Sequence, residues 1–300
     1  MPTEGCQDGL DTAWVARYAR GPSATTVARV ISLHENVRAV LGSGGYDTIL
    51  QGSYKNGTAL SAMNDVDILA LVPEISLKTI GIFRSPNWEG IFDDIERRLK
   101  ADARYEGKVT RRDKCLELET NVHVDVVPAV AVKAVGEDPI AIYSWSSKTK
   151  KVNWPRIHYS NSAAKNERTT GNYKPIVRLF KRWARCRFED RKIVPSYYLE
   201  CLLHSLPDTL FTTDLAAAFV SVGSEIVRQY GGALAYHVKP LTRIDGGGDL
   251  LCSDEWSGGA FRSFIAALTS SIAHGQAARS ISDGRSAKAA WRLAFGGHEP

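Results

Sequence analysis

The chain has 300 residues, 44% of them hydrophobic and 24% charged, the composition of a soluble globular protein with room for one two-lobed unit or two modest domains. No apolar run approaches the roughly 20 residues that cross a bilayer, and the acidic start MPTEGCQDGLD lacks the apolar centre of a secretory signal. The net charge of +5 is mild, yet residues 140–192 hold fourteen Lys and Arg against Glu167, Glu189 and Asp190. Such a segment suits polyphosphate, nucleic acid or an acidic partner, or is a solvated helix face.

Five cysteines, Cys6, Cys115, Cys186, Cys201 and Cys252, are odd in number and far apart. None has zinc-knuckle spacing and no disulfide framework is expected, so a reduced, cytoplasmic protein with packing cysteines is predicted.

In chain order, Val27, Val30, Ile31, His34, Val37 and Leu41 follow helical spacing from Thr25, with His34 read as a core or boundary histidine. Gly42-Ser43-Gly44-Gly45 ends that helix, and a short strand from Thr48 to Gln51 delivers the chain to Gly52-Ser53. Glycine lets a phosphate approach the backbone, the serine hydroxyl donates to it, and the next helix start offers free amides. Gly57-Thr58 closes this turn.

The strand that follows carries Asp65 and Asp67. Residues two apart share a face, so the two carboxylates point one way while Val66, Ile68, Ala70 and Val72 point the other. Adjacent carboxylates in an otherwise apolar strand call for a divalent cation, and hard oxygen ligands suit Mg²⁺, which is usually completed by substrate phosphates. Neither Gly-Ser nor Asp-X-Asp means much alone; their succession is far rarer. Pro73 stops the strand.

Trp88, Ile91, Phe92, Ile95 and Leu99 predict an amphipathic helix that covers a sheet. Cys115 to Val127 alternates as one long strand, with Asn121, His123 and Asp125 on one face and Pro128 ending it. Pro155, Gly171 and the polar stretch from Ser160 to Thr170 read as a break between halves. Beyond it the chain turns helical. Tyr173, Ile176, Val177, Phe180 and Ala184 form an apolar face, and Lys174, Arg178, Lys181, Arg182 and Arg185 crowd the rest of that helix. Further helices are expected over Asp214 to Tyr230, around Phe261 to Ile272, and over Ser286 to Phe295, with a turn at Asp245-Gly246-Gly247-Gly248-Asp249.

GSYKNGTAL followed by NDVDILALV resembles the signature of the DNA polymerase β-like nucleotidyltransferase superfamily, and more narrowly of the bacterial CD-NTases (cGAS/DncV-like nucleotidyltransferases). The resemblance implies an α+β, bilobal polymerase-β-like fold. Residues 1–160 would be a catalytic lobe, a mixed sheet with helices and a core at about 25–135, and residues 161–300 a helical lobe. In VHVDVVPAV it implies Asp125 as the third carboxylate beside Asp65 and Asp67, together holding two Mg²⁺ ions, a place Mn²⁺ can also fill.

The same resemblance implies Gly52 and Ser53 as phosphate contacts. In NYKPIVRLFKRWAR, Lys181 would reach the donor triphosphate; in VPSYYLECLLHSL, Ser196 would contact phosphate and Tyr197 would stack on the base. The implied activity joins ribonucleoside triphosphates into a cyclic di- or trinucleotide messenger with pyrophosphate release, in bacterial anti-phage (CBASS) signalling. A regulatory protein partner is compatible with it, and no stable nucleic-acid partner or membrane contact is expected. A linear oligonucleotide synthase or RNA-tailing nucleotidyltransferase would use the same residues. An inactive nucleotide- or RNA-binding module is the reading from another class.

Overall fold

Runs rich in Val, Ile, Leu and Ala between residues 47 and 153 pair into one mixed sheet, seven-stranded among the described residues. The structure, a computed structural model, describes residues 11–61, 65–72, 86–132, 138–232 and 235–300. Cys6, Asn64 and Pro73, used above, lie outside those residues.

The strands are β1 (Asp47–Gln51), β2 (Asp65–Leu71), β3 (Val109–Arg111), β4 (Leu116–Glu119), β5 (His123–Ala131), β6 (Ile140–Ser144) and β7 (Thr149–Asn153). They run in the order β1-β2-β5-β4-β3, with β6 pairing to the later part of β5 and β7 to β6. Among the described residues only β2 and β5 pair in parallel. Central strands buried on both faces read as apolar runs, and the later part of β2 does so: Ile68, Leu69, Ala70 and Leu71 are at most 1% exposed, as is Val66 on the face of Ile68 and Ala70.

Two helices cover that face, α1 (Ala24–Gly42) and α3 (Trp88–Ala101), with the short α2 (Gly52–Asn56) between them in sequence. Helix α3 buries all five expected residues and is capped by Asn87, whose side chain accepts from the Gly90 amide. Helix α1 buries Val30, His34, Val37 and Leu41. Val27 and Ile31, expected on that stripe, are 39% and 48% exposed, because a single i, i+4, i+7, i+11 row meets the sheet.

The long strand expected from Cys115 to Val127 is two. Thr120 Oγ1 accepts from the Val122 amide and donates to the Val122 carbonyl, turning the chain so that Glu119 faces His123 across an antiparallel pair. Asn121 therefore sits in a turn and leaves the face of His123 and Asp125. Pro128 does not end the strand: β5 runs on to Ala131, with Pro128 paired in register to Ala70.

Residues 22–160 form one compact unit; residues 11–21 and 161–300 belong to the other. Tyr18 stacks on Phe295 with ring centroids 3.8 Å apart and donates to the His298 carbonyl at 2.6 Å. The polar stretch read as a break is helical, within α4 (Pro155–Arg168), with proline at the first position where its missing N–H costs nothing. Lys165 is buried there; its ammonium donates to the Leu206 carbonyl and to Asp208, each at 2.7 Å, and Arg168 joins Asp208 at 2.7 Å.

The helical unit continues with α5 (Tyr173–Arg187), α6 (Ser196–His204), α7 (Leu215–Tyr230), α8 (Ala235–Val238), α9 (Gly258–Ser280) and α10 (Gly284–Ala294). Its core is aromatic, with Phe180, Trp183, Phe219, Phe264 and Trp291 all fully buried. Two cations of α5 expected at the surface are not there. Lys181 is 4% exposed, and Arg178 is half-buried with its Nε donating to the Ala19 carbonyl at 2.8 Å.

Candidate active site

The parallel register of β2 and β5 sets Asp67 beside Asp125 and Asp65 beside His123. On its other edge β2 sets Gln51 of β1 beside Asp67, and β4 sets Glu117 beside Asp125. Laterally paired residues share a face, so Gln51, Asp67, Asp125 and Glu117 form one row of oxygen-bearing side chains across four strands about 4.8 Å apart. Asp65 lies two residues along the same face. Further along it, Leu69, Leu71, Ala129 and Ile140 make a small apolar cluster that limits water on one side.

The Gly-Ser pair meets this row directly. Gly52 has φ +71°, and a Cβ placed on it would lie 2.2 Å from Asp67 Oδ2, so backbone strain and a carboxylate both exclude a side chain there. Helix α2 starts at Gly52, one residue earlier than a turn followed by a helix would have it, with Gln51 in extended conformation before it. Gly57 ends the helix in the left-handed region, its amide donating to the carbonyls of Ser53 and Tyr54.

Burial, then the charges of Asp125 and Asp65, push the Asp67 carboxyl up to about 6. A divalent cation would remove that penalty. Gln51 Oε1 adds a buried oxygen on the same row, with no hydrogen-bond partner among the described residues. Among the described residues no three His, Cys, Asp or Glu side chains form a metal cage by themselves. Hard oxygens on one face fit Mg²⁺, which normally takes one or two carboxylates and completes its shell with water and phosphate.

Two neighbours escaped the sequence reading. Glu117 would add a fourth negative charge beside Asp125, but it pairs with Arg112 and lies 3.5 Å from His123 Nδ1. Cys115, read as a packing cysteine, donates from Sγ to Asp125 Oδ1 at 3.2 Å. Burial and the Asp125 charge push its thiol up to about 12, which keeps it protonated at neutral pH. His123 Nε2 is 3.5 Å from the same oxygen. The even spacing of Cys115, Glu117 and Asp125 carried a signal once the turn at Thr120 is allowed for.

The remaining predicted residues lie in the helical unit. Lys181 forms a buried ion pair with Glu200, and it lines a small cleft with Ser196, Arg185, Asp190 and Arg191. Ser196 is the first residue of α6, with Pro195 in the cap position. Tyr197 does not line that cleft: its hydroxyl donates to Asp245 Oδ2 at 3.0 Å, which ties it to the glycine-rich turn. Burial raises the Tyr197 phenol well above its ordinary range. The structure thus brings Asp65, Asp67, Asp125, Gly52 and Ser53 together, and separately Lys181 with Ser196.

Residues 160–273 match the cGAS/DncV-like nucleotidyltransferase C-terminal helical domain. The chain is 33% identical over 226 residues to the cyclic UMP-AMP synthase of Rhodothermus marinus, covering 66% of this chain and 77% of that one. It is 29% identical over 216 residues to the cyclic dipyrimidine nucleotide synthase CdnE of Legionella pneumophila, covering 64% and 73%. The solved Rhodothermus marinus CdnE c-UMP-AMP synthase with Apcpp and Upnpp superposes with a TM-score of 0.67 at 28% identity, over 86% of this chain and 94% of that one. With the Gly-Ser turn set against paired strand carboxylates, these likenesses identify the chain as a member of the CD-NTases, nucleotidyltransferases that make cyclic oligonucleotides.

Proposed function

We propose that this protein is a Mg²⁺-dependent synthase that joins ribonucleoside triphosphates into a cyclic di- or trinucleotide, with Asp65, Asp67 and Asp125 as its metal-binding carboxylates. The observation that carries the reading is the lateral pairing of Asp67 with Asp125 against Gly52. Bound divalent ions would acidify the attacking ribose hydroxyl and neutralise departing pyrophosphate, the usual contribution of a two-metal site.

The chain's own residues hold and orient. Asp65 and Asp67 present oxygens on one face of a rigid strand, and Asp125 adds a third from the neighbouring strand. Gly52 keeps the backbone clear for a phosphate, and the Ser53 hydroxyl donates to its oxygens. Positioning and charge neutralisation of this kind are most of what phosphoryl transfer asks of a protein. In the helical unit Lys181 and Ser196 are assigned to phosphate and Tyr197 to the base, where an aromatic face tolerates different bases. Lys181 would then serve phosphate while retaining, or exchanging, its Glu200 partner. The reading extends to anti-phage signalling in the bacterial cytoplasm, with a regulatory protein as a further partner.

The test is incubation of purified protein with all four labelled ribonucleoside triphosphates and Mg²⁺ or Mn²⁺, followed by phosphatase and mass analysis. A phosphatase-resistant product is expected, reduced at least about ten-thousandfold in Asp65→Asn/Asp67→Asn, as for removal of residues that act as a catalytic unit. A phosphatase-sensitive ladder would replace the cyclic assignment with a linear one. Equal activity in the double variant would remove the carboxylates from the site.

A further inference from the structure

Asp125 differs from Asp65 and Asp67 in having donors built around it. Leu116 pairs with Val126, so Cys115 is the diagonal neighbour of Asp125 on the same face of the β4–β5 hairpin. Its thiol donates to Oδ1 at 3.2 Å, and His123 Nε2 stands 3.5 Å from that same atom. Glu117, directly opposite Asp125, is drawn to Arg112 and faces His123 Nδ1 at 3.5 Å. The carboxylate is therefore approached on one oxygen only, and among the described residues none donates to Oδ2.

We propose that Cys115 is a positioning residue for the third carboxylate: by donating to Oδ1 it fixes the rotation of Asp125 and presents Oδ2 to the divalent cation. The proposal rests on the reading of Asp125 as a metal-binding residue. Groups that orient a ligating carboxylate contribute to metal affinity without touching the metal. A β-strand holds the Asp125 backbone, yet the side chain can still turn about two bonds; a donor on the adjoining strand removes that freedom before a metal arrives.

The experiment measures Mn²⁺ binding to the metal-free protein by electron paramagnetic resonance, with Mn²⁺ as sole probe, alongside the half-saturating Mn²⁺ concentration for product formation. Cys115→Ala is expected to weaken both about tenfold, within the range for lost outer-shell partners. Cys115→Ser keeps an O–H donor and is expected to recover most of that loss, although serine fills the space less well. Thermal melting of the metal-free variants separates packing from positioning: equal destabilisation by Ala and Ser with unchanged Mn²⁺ affinity would overturn the proposal.

Asp125→Ala distinguishes the two layers. If it loses Mn²⁺ affinity and activity while Cys115→Ala binds like the parent, only the role of the thiol falls. If Asp125→Ala itself binds and turns over like the parent, the metal assignment of Asp125 falls with it.

Discussion

In the helical unit Lys181 meets Glu200, and Lys165 and Arg168 meet Asp208. In the sheet unit Asp65 and Asp67 share a face with Asp125, and among the described residues no Lys or Arg pairs with Asp65 or Asp67. The first arrangement is electrically satisfied within the chain itself. The second leaves like charges side by side, a penalty that the proposed cation and phosphates would relieve. The sequence shows charge in both places; the difference lies in whether the opposite sign comes from the chain or from the ligand.

Breaking the buried Lys181–Glu200 pair is the largest of the stability effects. Lys181→Met alone should cost about 3–5 kcal/mol in urea unfolding, because it strands a buried carboxylate, whereas Lys181→Met with Glu200→Leu should regain most of that. Failure of the second change to restore stability would mean that Glu200 serves a different partner.

At the carboxylate face a smaller insertion is expected to act on function first. Gly52→Ala puts a methyl where Asp67 Oδ2 now lies and forces a left-handed backbone on alanine, and should cut product formation about a hundredfold by displacing the carboxylate. Far-ultraviolet circular dichroism should stay unchanged. Full activity in this variant would show that Asp67 can move without loss.

The smallest effect follows from protonation. Asp67 titrates near 6 in the folded chain against an ordinary 3.8. The folded state then holds more protons between those values, so metal-free protein loses stability as pH rises through the window, by at most about 3 kcal/mol. Asp67→Asn should flatten that part of the melting profile and raise the midpoint at pH 7.5, while Mg²⁺ or Mn²⁺ should raise the parent's midpoint instead. A parent profile identical to that of Asp67→Asn would show that burial imposes no charge penalty there.

Much of this site was legible because its signals are local. Asp65 and Asp67 are read from a period of two in an apolar strand, Gly52-Ser53 from a glycine where the chain must approach a phosphate, and the α3 stripe from a period of 3.6. The turn at Thr120 was not legible: it has neither glycine nor proline, and alternation continues through it. The burial of Lys181 was also hidden, since a lysine between an apolar and a polar face is ordinarily at the surface, and its pairing with Glu200 from another helix helps make burial tolerable.

By itself the sequence pointed to the class of chemistry, because a Gly-Ser turn followed by two carboxylates on one face of an apolar strand is a rare succession that suits a cation and phosphate. It determined where the helices bury their stripes, because periodicity is a property of neighbours along the chain. Only the tertiary structure decided that Asp125 stands beside Asp67, that Cys115 holds one of its oxygens, and that Lys181 is spoken for by Glu200. Those relations depend on strand register and helix packing, set by contacts between residues distant in sequence, and local pattern carries no record of them.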